Sequence, residues 1–176
     1  WGPAVIDLNA RLKGLKREHI PSDLERVLHM PMVSSAGCPE AARRWTEELA
    51  ITGEFAFRDI QGKAFDVVVK WNGGFGSIGV GHGKTLIGLF AGVAAGAKSP
   101  VVLVPPALKK QMEQELEFWA QHFKMPNPPT IISYGVLSTR PTILHDLKPD
   151  FVVADEAHYL KKGTVRTRRF LQYFRT

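Results

Sequence analysis

Three short apolar runs, "VVLVP" (101–105), "TIISY" (130–134) and "DFVVAD" (150–155), lack the alternation of a strand that keeps one face wet. A strand apolar on both sides must be buried on both, and that condition is met by parallel sheets whose crossover helices cover each face. The intervening stretches agree. "ALKKQMEQELEFWAQHF" (107–123) reads as a helix, "MPNPP" as a loop, and a short helix follows Tyr134. Upstream, a helix through "IQGKAFDVVVKW" (60–71), a loop at Asn72-Gly73-Gly74 and a short strand "FGSIGV" (75–80) lead into a glycine-rich turn and a helix from Lys84. The expected fold over residues 53–176 is therefore an α/β three-layer domain with a parallel sheet.

Residues 1–52 have a different texture. "VIDLNARLKGLKREHI" places Ile6, Leu8, Leu12 and Leu15 at nearly helical spacing, Pro21-Ser22-Asp23 breaks that helix and caps "LERVLHM", and "PEAARRWTEELAITG" starts near Pro39 and ends at Gly53. This segment reads as a small helical appendage.

Composition excludes several classes. The 44% hydrophobic and 23% charged content is that of a globular chain without repeats or low-complexity tracts. Its longest apolar run, "LIGLFAGVAAGA", falls short of the roughly 20 residues a membrane span needs. The single cysteine, Cys38, rules out a disulfide framework, and no secretory pattern opens the chain. An intracellular location is the expectation, and a start at Trp1 with a stop at Thr176 reads as part of a longer polypeptide. The net charge of +6 is unevenly placed: residues 161–176 hold six basic and no acidic residues, whereas the rest balances. "KKGTVRTRRFLQYFRT" suits a polyanion, or else is a solvated basic helix that packs Phe170, Tyr173 and Phe174 inward.

The glycine-rich turn, "SIGVGHGKT" (77–85), departs from G-x-x-x-x-G-K-[ST] at Ile78. It stands between an expected strand and an expected helix, where backbone N–H groups and a helix N-terminus bind phosphates. Gly79, Gly81 and Gly83 allow close backbone approach, with His82 between the last two. Lys84 would reach the β- and γ-phosphates of a nucleotide, and the Thr85 hydroxyl would complete a magnesium shell. A second motif, "FVVADEAH" (151–158), delivers two carboxylates at the carboxyl end of a buried strand, where ligands of open α/β sheets bind. Asp155 is placed to hold Mg²⁺ and Glu156 to orient and deprotonate water. A charged cap accounts for one Asp-Glu pair; two such motifs in this order are far more restrictive.

Together, Gly-x-Gly-Lys-Thr at 81–85 and Asp-Glu-Ala-His at 155–158 resemble motifs I and II of superfamily 2 helicases and translocases. Three further stretches are similar to the Swi/Snf-type branch. "FRDIQGKAFDVV" resembles the segment ahead of motif I, "SPVVLVPPALKKQMEQELEFW" resembles motif Ia, and "TIISYGVL" resembles motif Ib. The resemblance covers residues 55–176 and implies a RecA-like P-loop NTPase lobe with ATP and Mg²⁺ as cofactors. It implies Arg58 and Gln61 on the adenine side, and Pro106, Ala107, Lys109, Ser133 and Tyr134 against the phosphates of a nucleic acid, duplex DNA before RNA. His158 would couple the ATP site to motif III.

Several positions depart from the family pattern. Ser77-Ile78 replaces the acidic pair usual in motif I, His82 a Leu or Ser, and Ile60 a Tyr. The family form also needs a motif III and a second RecA-like lobe with an arginine finger, whose loss lowers phosphoryl transfer about 10³- to 10⁵-fold. Weak ATP binding and poor hydrolysis are expected of residues 1–176 alone. Two other classes use the same residues: a restriction-type or phage-type motor subunit, and a non-catalytic DNA-binding or structural module that keeps the fold.

Overall fold

The computed structural model describes residues 38–174 apart from Phe75, Ser77, Val80 and Lys162. The chain divides after Ser34 into two units, and the described residues belong to the second. Both helices expected within residues 5–30 lie outside them.

Three strands form the sheet: β1 (Pro100–Val104), β2 (Thr130–Ser133) and β3 (Phe151–Ala154). All pairings are parallel, in the order β2-β1-β3, with Val102 opposite Ile131 on one side and Val153 on the other. Every residue of the central strand is buried, as an apolar run without alternation demands. Side chains still alternate between faces. Val102, Val104 and Ile131 join one core, and Val101, Leu103 and Ile132 join another.

The first core lies under α1 (Pro39–Leu49), α2 (Asp59–Trp71), α3 (Lys84–Ala94) and α4 (Lys109–His122). It is rich in aromatic rings. Phe57 stacks on Phe123 at 4.4 Å and meets Phe65 and Phe90 edge-on at 5.0 and 5.3 Å; offset and edge-on geometries bring ring edges against ring faces. The second core lies under α5 (Val136–Thr139), α6 (Ile143–Leu147) and α7 (Val165–Tyr173), which contribute Leu137, Ile143, Leu144, Phe170 and Tyr173. The parallel sheet is thus covered on both faces, and the α/β architecture expected from the three apolar runs is present.

Two expectations are corrected. Gly76, Ile78 and Gly79 are in no strand, so among the described residues the sheet has no fourth member ahead of the glycine turn. Glycines offer no side chains for a sheet to pack and lose the most backbone entropy on ordering. The helix placed in the appendage also belongs to the α/β unit, so the division drawn at residue 53 falls inside it. Ala41, Trp45 and Leu49 are buried in the first core, and Trp45 Nε1 donates to Asp66 of α2 at 2.8 Å. Gly62 permits this approach: a Cβ there would collide with the Ala42 backbone.

Candidate nucleotide site

The glycine turn is shaped by two left-handed residues, Gly81 at φ 82° and Gly83 at φ 71°, and Gly83 caps α3. A side chain at either would be strained, and a Cβ on Gly83 would also strike the Gln61 amide. Braces from α2 hold the turn. Arg58 donates to the Gly81 carbonyl at 2.8 Å, and the Gln61 side-chain amide donates to the Gly83 carbonyl at 3.3 Å. With those carbonyls engaged by α2, the N–H groups of the first α3 turn, which have no partner inside a helix, remain for an anion. His82 is exposed, and its ring lies against Gly79.

This arrangement revises the role expected of Arg58 and Gln61. Gln61 is only 3% exposed, and its amide oxygen accepts from the Arg58 N–H at 2.8 Å. Both ends of the amide are therefore occupied, and Gln61 holds the loop where an adenine edge was the expected partner.

Lys84 and Thr85 open α3, which packs across β1 and β3. Thr85 and Asp155 share a cavity of about 100 Å³ with Leu108, Gln111, Met112 and Glu115. This wall comes from α4 and the turn residue before it, and 108, 111, 112 and 115 repeat at the three-and-four spacing of one helix face. Glu115 is anchored there by the indole N–H of Trp119 at 2.8 Å.

Asp155 prolongs the β1–β3 pairing through its N–H, which donates to the Leu103 carbonyl at 2.9 Å. Burial, reinforced by the neighbouring Glu156, pushes the Asp155 carboxyl above the usual carboxylate range, with the Glu156 N–H and the Lys84 ammonium working against that rise. A desolvated carboxylate facing a second one is a site that gains from a cation. The cavity brings the Asp155 and Glu115 carboxylates together with the Thr85 hydroxyl, hard oxygen donors that could hold Mg²⁺, a cation that keeps several waters and takes few protein ligands. Among the described residues no group of three or more His, Cys, Asp or Glu forms a closed metal cage. Glu156 itself is exposed, left-handed at φ 53°, and 3.2 Å from the His158 Nδ1.

The expected nucleic-acid residues separate into two groups. Pro106 and Ala107 are exposed in the 3-10 turn Pro106–Leu108 that follows β1, and Lys109 is half-exposed in an ion pair with Glu113 at 3.0 Å. Ser133 and Tyr134 are buried, contrary to a role as phosphate contacts. Tyr134 has no exposed surface; its hydroxyl donates to the Asp155 carbonyl at 2.7 Å and its ring stacks on Tyr159 at 5.2 Å. Burial, with help from Asp155 and Glu156, pushes the Tyr134 hydroxyl well above its usual range. It therefore stays protonated and keeps donating. Tyr134 supports the carboxylate turn from behind.

The class these features define is an open parallel α/β unit with a braced glycine turn and a paired carboxylate at the strand ends. No protein-family model, curated protein or solved structure matches the chain. No described helix is long and apolar enough to cross a membrane.

Proposed function

We propose that this chain contains the first RecA-like lobe of an ATP-dependent DNA translocase or helicase of the superfamily 2, Swi/Snf-like kind. One observation carries the reading: Thr85, in the first turn of the helix after the glycine turn, and Asp155, just after β3, line one cavity although 70 positions apart in sequence. The Gly81 to Thr85 backbone and the Lys84 ammonium bind phosphates, and Thr85 and Asp155 would hold Mg²⁺, which would supply positive charge against the phosphates. Glu156 takes the proton from water. DNA is the track, contacted at Pro106, Ala107 and Lys109 without base readout, and a second lobe supplies the remaining charge stabilisation.

The test is Mg²⁺-dependent binding of a fluorescent ATP analogue. Lys84→Ala should abolish binding, whereas Glu156→Gln should keep it and stop turnover wherever turnover is measurable. Undiminished binding in Lys84→Ala would remove the glycine turn from the phosphate site. Normal ATPase activity in Glu156→Gln would remove Glu156 as the base.

A further inference from the structure

Beyond the carboxylate turn, the 3-10 turn Ala157–Leu160 and α7 border an open cleft of about 520 Å³ lined by His158, Tyr159, Lys161 and Arg166. We propose that this cleft is a phosphate-binding site for the backbone of a nucleic acid strand, read without regard to sequence. Four observations carry it.

First, the cleft is cationic and its charges are unspent. Among the described residues Arg44, Lys109 and Arg140 have carboxylate partners, but neither Lys161 nor Arg166 has one within ion-pair distance. Second, the Arg166 Nε is buried with no hydrogen-bond partner. Protein interiors rarely leave such a donor unmatched, and a guanidinium fork fits a phosphate. Third, the one tyrosine lining the cleft is not free for stacking. The Tyr159 ring is already engaged by Tyr134, by the Arg166 guanidinium 5.5 Å from its centroid, and by the His158 ring at 4.8 Å. Charge is left as the recognition chemistry, so phosphate is selected over base. Fourth, the other basic side chains of α7 do not line this cleft: Arg169 donates to the Leu137 and Ser138 carbonyls at 2.9 and 2.8 Å, and Arg168 is exposed. Concave clustering focuses potential in a way that scattered surface cations do not.

The cleft touches the carboxylate turn through His158, whose Nδ1 faces Glu156 at 3.2 Å. A strand bound here would lie one side chain away from Glu156. Phosphate binding in the cleft does not depend on the ATPase reading; loss of nucleotide binding would leave it standing.

The experiment measures binding of this chain to labelled duplex and single-stranded DNA by anisotropy across a salt series, for wild type, Arg166→Gln, Lys161→Gln and Arg168→Gln. One phosphate contact contributes about 0.9 to the log-log salt slope on duplex and about 0.7 on single strands. Extrapolated over one decade below 1 M salt, the duplex value corresponds to roughly 8-fold in affinity at 0.1 M. Arg166→Gln and Lys161→Gln should each weaken binding by that order and flatten the slope by about one contact, Arg166→Lys should restore the slope, and Arg168→Gln should keep it. Wild-type slopes in both cleft variants would overturn the proposal, as would an equal loss in Arg168→Gln, which would mean diffuse attraction. Should Arg166→Gln fail to fold, the exposed Lys161→Gln decides alone. Competition by poly-glutamate that needs Arg166 while DNA binding does not would assign the cleft to an acidic protein and overturn it as well.

Discussion

Changing Tyr134 to Phe removes one oxygen from the middle of the second core and nothing else. The ring has no exposed surface, and its stack on Tyr159 needs only the carbon skeleton, so the packing survives. The 2.7 Å bond to the Asp155 carbonyl does not. A buried hydrogen bond is worth about 0.5–1.5 kcal/mol net, and an acceptor left unmatched costs about 1–3 kcal/mol, so a loss of about 1–2 kcal/mol is expected. At about 2–4 °C per kcal/mol for a chain of this size, the Tm should fall by about 2–8 °C. Circular dichroism melts at neutral pH would measure it. A second arm uses the acidity of the hydroxyl, which burial weakens in the folded chain. A folded pKa above the unfolded value of about 10 gives stability that is complete below pH 10 and lost as pH rises further. The gap between wild type and the Phe variant should therefore narrow above pH 10. Mg²⁺-dependent nucleotide binding should weaken about 10-fold, the low end for losing a group that orients a metal ligand. An unchanged Tm with a pH-independent gap and wild-type nucleotide affinity would refute the claim that Tyr134 fixes Asp155.

Asp155→Asn should be more stable than wild type at pH 7 yet lose Mg²⁺-dependent nucleotide binding; because the Asp155 pKa is raised in the folded chain, the stability difference should shrink as pH falls below that value and vanish below the unfolded value of about 4, which acid titration of the two melts would show. Asp150 behaves oppositely. Its carboxylate accepts from the Lys98 and Ser99 N–H groups at 2.7 and 2.9 Å, and the Lys98 bond above all holds its pKa low, so its contribution is present above about pH 4 and lost as pH falls through the lowered value; Asp150→Ala should remove that part of the acid-side loss seen in urea titrations. Gly62→Ala should cost about 1–3 kcal/mol by forcing α1 from α2, and a melt as stable as wild type would show that the two helices can separate without penalty.

The sheet was legible because its central strand is buried throughout and helices cover both faces, a setting that calls for unbroken apolar runs. The glycine turn and the carboxylate pair were legible because their chemistry demands particular residue types at particular strand and helix ends. Spacing along the chain hides what depends on approach between distant segments. The α1 helix is amphipathic like any surface helix, and its partner is revealed by contacts between distant positions, Gly62 against Ala42 and Trp45 on Asp66. Tyr134 follows a strand end that points toward the ligand edge, yet its side chain turns into the core because a large ring finds more contact there. The resemblance puts Gln61 on the adenine side, but its amide is held by the Arg58 N–H and the Gly83 carbonyl, contacts that no pattern in one dimension discloses. In the basic tail, Phe170 and Tyr173 pack against the second core, while Phe174 is 49% exposed.

Glu156 sits at φ 53°, a conformation that disfavours a residue bearing a Cβ by about 1–2 kcal/mol and that glycine adopts freely, less about 0.5–1 kcal/mol of unfolded-chain entropy. A mutagenised population sorted only for heat resistance should therefore enrich glycine at codon 156. The same population sorted for nucleotide turnover should purge it. The opposed enrichments at one codon would rank, in a single library, how much backbone ease the chain forgoes to present that carboxylate.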